Sequence, residues 1–256
     1  MAGTDSLRDH DCVIVLSPHL DDAALSCGSL LAQTAVSTPV TVMTLFTAAR
    51  GRPTLAAREF LNQCNARDAS ALYAQRRAED QVALRSIGVT GVHFGLPDAL
   101  YRRHRTTRVP HIARVLVPEL HTVYPTFRFH IARGQISPHD QWLLAALEKR
   151  VLLATTKDDV ILAPLGLSGH VDHVLTHELG KALSRHRTVG WYADQPAAQR
   201  EAGAVLGPPD TERVEYEVDH QAKADLLGWY GTQTARLFGP GKVPRLEEYV
   251  YLPKPA

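Results

Sequence analysis

The chain has 256 residues, 45% of them hydrophobic and 21% charged, which is the profile of a globular chain and excludes an intrinsically disordered one. With 28 Lys and Arg against 27 Asp and Glu, the formal charge of +1 supplies no global field for a phosphate backbone, so no nucleic-acid partner is expected. Three cysteines, Cys12, Cys27 and Cys64, cannot all pair and form no CxxC, and no apolar run approaches the roughly 18 residues of a membrane span, so the expected setting is cytoplasmic, reducing and free of membrane contact.

In chain order, the polar start MAGTDSLRDHD carries no targeting pattern. Cys12 to Leu16 (CVIVL) is a continuous, β-branched run that predicts a strand buried on both faces. Ala24 to Ala35 reads as a helix and Pro39 to Thr47 as a second buried strand, so the opening makes a β–α–β unit and a parallel sheet. Gln75 to Ile87 predicts a helix whose apolar face is Ala78, Val82, Ala83 and Ile87; Gly88 stops it, and Val92 to Leu96 is a short strand. From Leu100 to Pro138 the pattern dissolves into Arg, His, Thr and Pro, an irregular insertion or active-site loop with a short helix over His111 to Leu120.

Order returns with a helix over Gln141 to Ala154, a buried strand over Asp159 to Leu165 (DVILAPL) and a helix over Val171 to Ser184. Thr188 to Tyr192, Glu212 to Val218 and Glu248 to Leu252 read as strands, with one long amphipathic helix over Gln221 to Phe238. The fold expected is a single α/β domain over 1–256. Its core, 1–193, is a Rossmann-like, mostly parallel sheet flanked by helices and interrupted by the insertion at about 100–138, and 211–256 adds a small C-terminal β appendage of strand, helix and strand. Asp194 to Asp210, rich in Pro, Ala and Gly, is a loop over the site or a boundary.

Thirteen histidines are the compositional outlier, and neutral imidazole is the commonest metal ligand. Two clusters matter. Ser17-Pro18-His19-Leu20-Asp21-Asp22 follows the first strand directly, where open α/β sheets bind ligands. His19 and Asp22, three apart, can converge on one cation if the chain has begun to turn. Of two adjacent acids at a strand end, one can ligate while the other takes and returns protons. The second cluster, His170-Val171-Asp172-His173, holds the same position after DVILAPL and a Gly-containing turn. Together the two supply two His and one Asp with a fourth position left for water, the pattern of a catalytic zinc site. Each motif alone also fits a plain helix cap or a surface pair; it is their joint placement at two strand ends that points to a metal. His177, on the same helical face, is read as packing or as a hydrogen bond behind a ligand.

These motifs resemble the LmbE-like or PIG-L family of zinc-dependent N-deacetylases, in which P-H-x-D-D follows the first strand and H-x-D-H comes later. Pro18 to Asp22 and His170 to His173 match, and Arg76 to Asp80, the Leu96-Pro97-Asp98 turn, Lys223, Tyr230 and Gln233 look like family features. The resemblance implies that His19, Asp22 and His173 bind Zn2+, that Asp21 is the general base, and that His170 is an electrophile oriented by Asp172, acting as an imidazolium against the developing oxyanion. Leu20 and Ala23 depart from the pattern without removing a ligand; Ser168 stands where some sugar deacetylases carry Tyr.

Substrate contacts are expected from Arg76, Asp98 and Arg102. Arg76 and Arg77 are read as opening a helix, where cations are disfavoured and so need a carboxylate or a substrate. Asp98 serves equally to bind a sugar hydroxyl or to cap a turn. Arg102, Arg103, Arg105 and Arg108 form either a solvated loop or a lip for an acidic substrate; aromatic interleaving, which a nucleic-acid patch would need, is missing. Trp191, Tyr192 and Asp194 line the cleft or belong to the core. The function expected is therefore zinc-dependent removal of an N-acetyl group from an amino sugar or glycosylated small molecule such as a natural-product intermediate. The rival reading is a zinc amidase acting on another amide, such as a thiol conjugate. SPHLDD in place of a Gly-rich loop argues against nucleotide binding, and Asp21 argues against a purely structural metal site. The expected partner is a small N-acetylated molecule, and a homo-oligomer is compatible with the sequence.

Overall fold

A computed structural model of the chain describes residues 5–105, 110, 112, 116–201, 207–214 and 216–254. Five strands run parallel: β1 (Val13–Ser17), β2 (Val40–Ala48), β3 (Thr90–Pro97), β4 (Val160–Pro164) and β5 (Thr188–Tyr192). Two short strands, β6 (Thr211–Arg213) and β7 (Val250–Pro253), complete one sheet of order β3-β2-β1-β4-β5-β7-β6, with β7 antiparallel to both of its neighbours. The C-terminal strands therefore extend the main sheet as its antiparallel edge.

The centre is buried on both faces because β1 and β4 carry apolar side chains at every position but the last of each. Ile14 and Leu16 point to one face, where Leu143, Leu147 and Val151 of a helix at Gln141–Ala154 and Leu175, Leu179 and Leu183 of a helix at Val171–Leu183 cover them. Val13 and Val15 point to the other, under Ala23, Cys27, Leu30 and Leu31 of the helix at Asp22–Thr34. At about 25 cal/mol per Å² of apolar surface, this two-sided burial is the main driving force for ordering the sheet.

We number the helices α1 (Asp5–Arg8), α2 (Asp22–Thr34), α3 (Leu55–Gln63), α4 (Ala69–Ser86), α5 (Gln141–Ala154), α6 (Val171–Leu183), α7 (His220–Gly228) and α8 (Gly231–Phe238). Besides the one-turn α1, which the polar start did not suggest, three differ from expectation. Helix α3 was not foreseen; it has only Ala57 and Leu61 buried, too few for a periodic signal, and is started by Thr54, whose hydroxyl accepts the Ala57 N–H. Helix α4 begins six residues before Gln75, capped by Asp68, so Arg76 and Arg77 lie mid-helix and do not open it. Its inward face is Leu72, Tyr73, Arg76, Asp80, Ala83 and Leu84, while Ala78 and Val82 are exposed; two charged residues occupy core positions, which hydrophobicity alone assigns to the surface. The single helix over Gln221 to Phe238 is two, α7 and α8. They break at Trp229 and Tyr230, where Tyr230 is buried and donates its hydroxyl to Asp80 at 2.8 Å.

Between β3 and α5 the described residues include short turns at Ala99–Tyr101, Pro118–His121, Phe127–Ile131 and Pro138–Asp140. The helix expected over His111 to Leu120 falls partly outside the described residues, and Arg108 lies outside them. All three cysteines are free, and among the described residues no helix is long and apolar enough to cross a membrane.

Candidate active site

Strands β1 and β4 are neighbours, and the chain leaves them in opposite directions, β1 toward β2 and β4 toward β5. Such a reversal opens a crevice beyond the carboxyl ends of the strands, and both sequence clusters sit on it. In the first, Ser17 Oγ donates to the His19 carbonyl at 2.7 Å and accepts the Ala23 N–H at 3.2 Å. That clamp folds the turn so that the His19 N–H reaches Asp22 Oδ2 at 2.8 Å. In the second, Gly166 and Gly169 take φ of +77° and +66°, a left-handed conformation that only glycine adopts cheaply. The turn they make delivers His170 as the N-cap of α6.

The two turns bring His19, Asp22 and His173 together, with one ligand atom from each lying within 4.8 Å of the others. Asp22 Oδ2 is 3.1 Å from His19 Nδ1 and 3.3 Å from His173 Nε2. A tetrahedral zinc with bonds of about 2.0–2.1 Å spaces its ligand atoms by about 3.3 Å, so these separations match the edges of such a site. The outer imidazole nitrogens are each held by a carboxylate: His19 Nε2 lies 3.1 Å from Asp172 Oδ2, and His173 Nδ1 lies 2.5 Å from Asp194 Oδ1. This is the arrangement that orients a metal-binding imidazole. His19, His170 and Asp172 likewise bring one ligand atom each within 4.8 Å of the others, but Asp172 is fully buried, paired with Arg102 and bonded to the Ala99 N–H, which leaves it the weaker ligand.

Asp21 stands next to this triad, its Oδ1 3.3 Å from Arg76 Nη2. Burial disfavours its charge and the neighbouring Asp22 adds repulsion, so its pKa is raised although Arg76 opposes the shift. Burial also works against the charge on Asp22, yet His173 and His19 hold it well below the usual carboxylate range. For His19, burial opposes protonation but hydrogen bonds to Asp172 and Asp22 prevail and bring it to about 9. Contacts that favour a proton there favour a metal cation too, and the two compete for the same nitrogens.

His170 differs from expectation in two respects. Burial and the nearby His19 push its pKa down to about 3, so it is a neutral imidazole and not an imidazolium. Its orientation comes from the backbone N–H of Asp172, which donates to His170 Nδ1 at 3.2 Å, whereas the Asp172 carboxylate serves Arg102 and His19. With Nδ1 accepting, the ring proton is on Nε2.

The triad lines a cavity of about 400 Å³ whose lining also includes Asp21, Asp98, Arg76, Phe60, Phe127, His170 and Ser168. Asp98 both caps the Leu100 N–H at 2.9 Å and accepts from Tyr73 Oη at 2.6 Å. Arg102 does not line the cavity: it is 5% exposed and its guanidinium pairs with Asp172 and with Asp140, the latter at 3.1 Å. The expected basic lip is likewise taken up elsewhere, with Arg103 bonded to the Pro118 carbonyl at 2.9 Å and Arg105 over the Trp142 ring at 4.5 Å. His177 bonds the Pro164 carbonyl at 2.9 Å and packs against Trp191.

Sequence reasoning missed several residues. Asp194 was read as lining the cleft or belonging to the core, with no role at a ligand, whereas it holds His173 and accepts the Gly166 and Leu167 N–H groups at 2.7 and 3.0 Å; its place just past β5 was the signal that could have found it. Gln195, Arg200 and Arg236 also line the cavity. They come from loop and helix positions with no motif around them.

Residues 14–184 match the family model described as PIG-L: GlcNAc-PI de-N-acetylase. No curated protein sequence matches the chain. Among solved structures, a deacetylase of the teicoplanin biosynthesis pathway superposes with a TM-score of 0.71 at 22% identity, covering 94% of this chain and 97% of that one. The zinc-inhibited form of the teicoplanin deacetylase Orf2 gives 0.69 at 24% identity, with 88% and 86% covered. The N,N'-diacetylchitobiose deacetylase of Pyrococcus horikoshii gives 0.52 at 14%, with 99% and 88% covered. At these identities the likeness is one of fold.

Proposed function

The chain belongs to the PIG-L family, and from that premise we propose that this deacetylase-class enzyme is zinc-dependent and removes an N-acetyl group from an amino sugar or glycosylated small molecule. One observation carries the proposal: Asp22 Oδ2 is flanked at 3.1 and 3.3 Å by His19 Nδ1 and His173 Nε2, with a second carboxylate, Asp21, beside it. His19, Asp22 and His173 would hold the zinc, which when bound polarises a carbonyl and brings the pKa of water toward about 7. The resemblance in fold to the zinc-inhibited Orf2 structure supports a metal site, and the His/Asp/His donor set supports zinc as its occupant.

The chain's own residues account for the proton traffic. Asp21 takes the proton released as water adds to the acetamide carbon; its raised pKa suits a base that must later give that proton up. Arg76 fixes one Asp21 oxygen and leaves the other toward the cavity. His170, neutral with its proton on Nε2, donates a hydrogen bond to the carbonyl oxygen as negative charge develops there, and so stabilises it as a dipole. Ser168, whose hydroxyl accepts the His170 N–H at 3.2 Å, adds a small polar group at the same wall. When the C–N bond breaks, the proton on Asp21 passes to the leaving nitrogen, giving acetate and a free amine. The cavity's size lies within the roughly 300–1,000 Å³ of small-molecule sites, which supports a compact acetamido sugar as the group that enters.

Metal analysis of the purified protein, followed by a mass-spectrometric screen for loss of acetyl across N-acetylated sugars and glycosides, tests the proposal. Zinc near one equivalent and acetate release from at least one acetamido sugar are expected. A metal-loaded protein that cleaves only other amides would replace it with the amidase reading.

A further inference from the structure

The side chains that enclose Arg102 extend the metal-facing end outward into the segment before α5. Its guanidinium stands near two rings, with Cζ 4.6 Å from the centre of Phe46 and 5.3 Å from that of Tyr124. It pairs with Asp172 and also with Asp140, whose Oδ2 lies 3.1 Å from Arg102 Nε. Asp172 passes the arrangement on: its Oδ2 is 3.1 Å from His19 Nε2 and accepts the Ala99 N–H at 3.0 Å. Charge therefore alternates in sign from Asp140 through Arg102 to Asp172, and all three side chains are buried.

Asp140 has no local reason to be an acid. It is the N-cap of α5, where an Asp side chain ordinarily accepts an N–H of the first turn, yet its carboxylate makes no such bond. It faces Arg102 instead, in an ion pair whose two closest atoms lack hydrogen-bond geometry. Burial works against the Asp140 charge, while Arg102 and then the Tyr124 hydroxyl work for it. That hydroxyl accepts the Ser137 N–H at 3.0 Å, and the Asp140 N–H donates to the Ser137 carbonyl at 2.8 Å, so Tyr124 and the turn at Ser137 fix where the carboxylate stands. A carboxylate that leaves its cap to face a cation already paired elsewhere acts through its charge. With Asp172 as its only anion, Arg102 would draw fully on that carboxylate. A second anion beside the guanidinium shares the draw and leaves Asp172 a stronger acceptor for His19.

We infer that Asp140 is a positioning residue for the metal site: through Arg102 and Asp172 it strengthens His19 as a ligand and so raises the affinity for zinc. It acts at two removes from His19. The inference rests on zinc binding at His19, Asp22 and His173, and its test keeps the two apart.

Zinc affinity is measured by chelator competition on the purified protein. Asp140→Asn is the main variant, because Asn caps a helix about as well as Asp and the change removes only the charge. It should bind zinc about 5–10-fold more weakly, at or below the roughly 10–100-fold seen for a group bonded to the ligand itself. Asp140→Glu should restore part of the loss. In an Asp172→Asn background, adding Asp140→Asn should cost less than about twofold, because the route to His19 is already cut. A merely structural role would lower affinity equally in both backgrounds. Tyr124→Phe removes a hydroxyl that favours the Asp140 charge and should weaken zinc by about two- to threefold; it carries the test if Asp140→Asn does not fold. Unchanged affinity in Asp140→Asn, or in Tyr124→Phe where that variant stands in for it, overturns the inference, as does an equal loss with and without Asp172. Those results leave the metal site standing. Zinc that survives Asp22→Ala in the otherwise intact protein removes the site itself, and this inference with it.

Discussion

Two arginines at this site, one buried and one half-buried, have opposite circumstances, and they mark its two regions. Arg102 sits behind the metal-facing end with its guanidinium shared between Asp172 and Asp140, and Asp172 in turn holds His19. Arg236 lines the cavity from α8, its guanidinium over the Phe60 ring at 5.4 Å and its Nε without a hydrogen-bond partner among the described residues. At the metal-facing end, each imidazole nitrogen not used for a ligand is held by a carboxylate, so the geometry is fixed before anything binds. The rest of the lining instead carries Arg76 Nε, Arg236 Nε and Gln195 Oε1 with no hydrogen-bond partner among the described residues. A fixed reaction centre beside a less committed lining is how one family can keep one reaction and change substrates.

The contrast can be broken most severely at the metal-facing end. Asp22→Ala removes the oxygen between two imidazoles, and bound zinc and acetate release should both fall to background; full metal content would dissolve the triad. Asp21→Asn should keep the metal and lower kcat by about 10²–10⁴-fold, read by acetate release with parallel metal analysis. Arg102→Leu leaves Asp172 and Asp140, 0% and 2% exposed, without their cation, and should cost about 3–5 kcal/mol in urea unfolding. Asp194→Asn weakens the hold on His173 Nδ1 and should reduce zinc affinity by about 10–100-fold, measured by competition with a chelator. Arg236→Gln should shift unfolding by no more than about 1 kcal/mol, because only its contact with the Phe60 ring goes with it. A cost as large as that of Arg102→Leu would erase the distinction between the two regions.

The same contrast explains what could be read from the chain. Parallel strands buried on both faces announce themselves as CVIVL and DVILAP, and ligands placed just after them fall in short contiguous motifs. The sheet centre, α5 and α6 and the two clusters were legible for that reason. Arg76 and Asp80 were not, because a buried charge looks like a surface residue until its partner is known, and those partners are distant: Asp21 for Arg76, His93 and Tyr230 for Asp80. The break between α7 and α8 was hidden for the same reason, since it depends on Tyr230 reaching Asp80. Arg102 misled in the opposite direction, its place in a basic run suggesting solvent when two carboxylates enclose it. The wall of Gln195, Arg200 and Arg236 has no local pattern, being assembled only by the fold.

The central claim is a zinc ion held by His19, Asp22 and His173. X-ray absorption at the zinc edge, on the purified protein loaded with one equivalent, tests it directly. The spectrum should show a four-coordinate shell of nitrogen and oxygen at about 2.0–2.1 Å with imidazole scattering and no sulfur, and the bound zinc should be lost in Asp22→Ala. Sulfur scattering at about 2.3 Å, or an unchanged spectrum in Asp22→Ala, would contradict it.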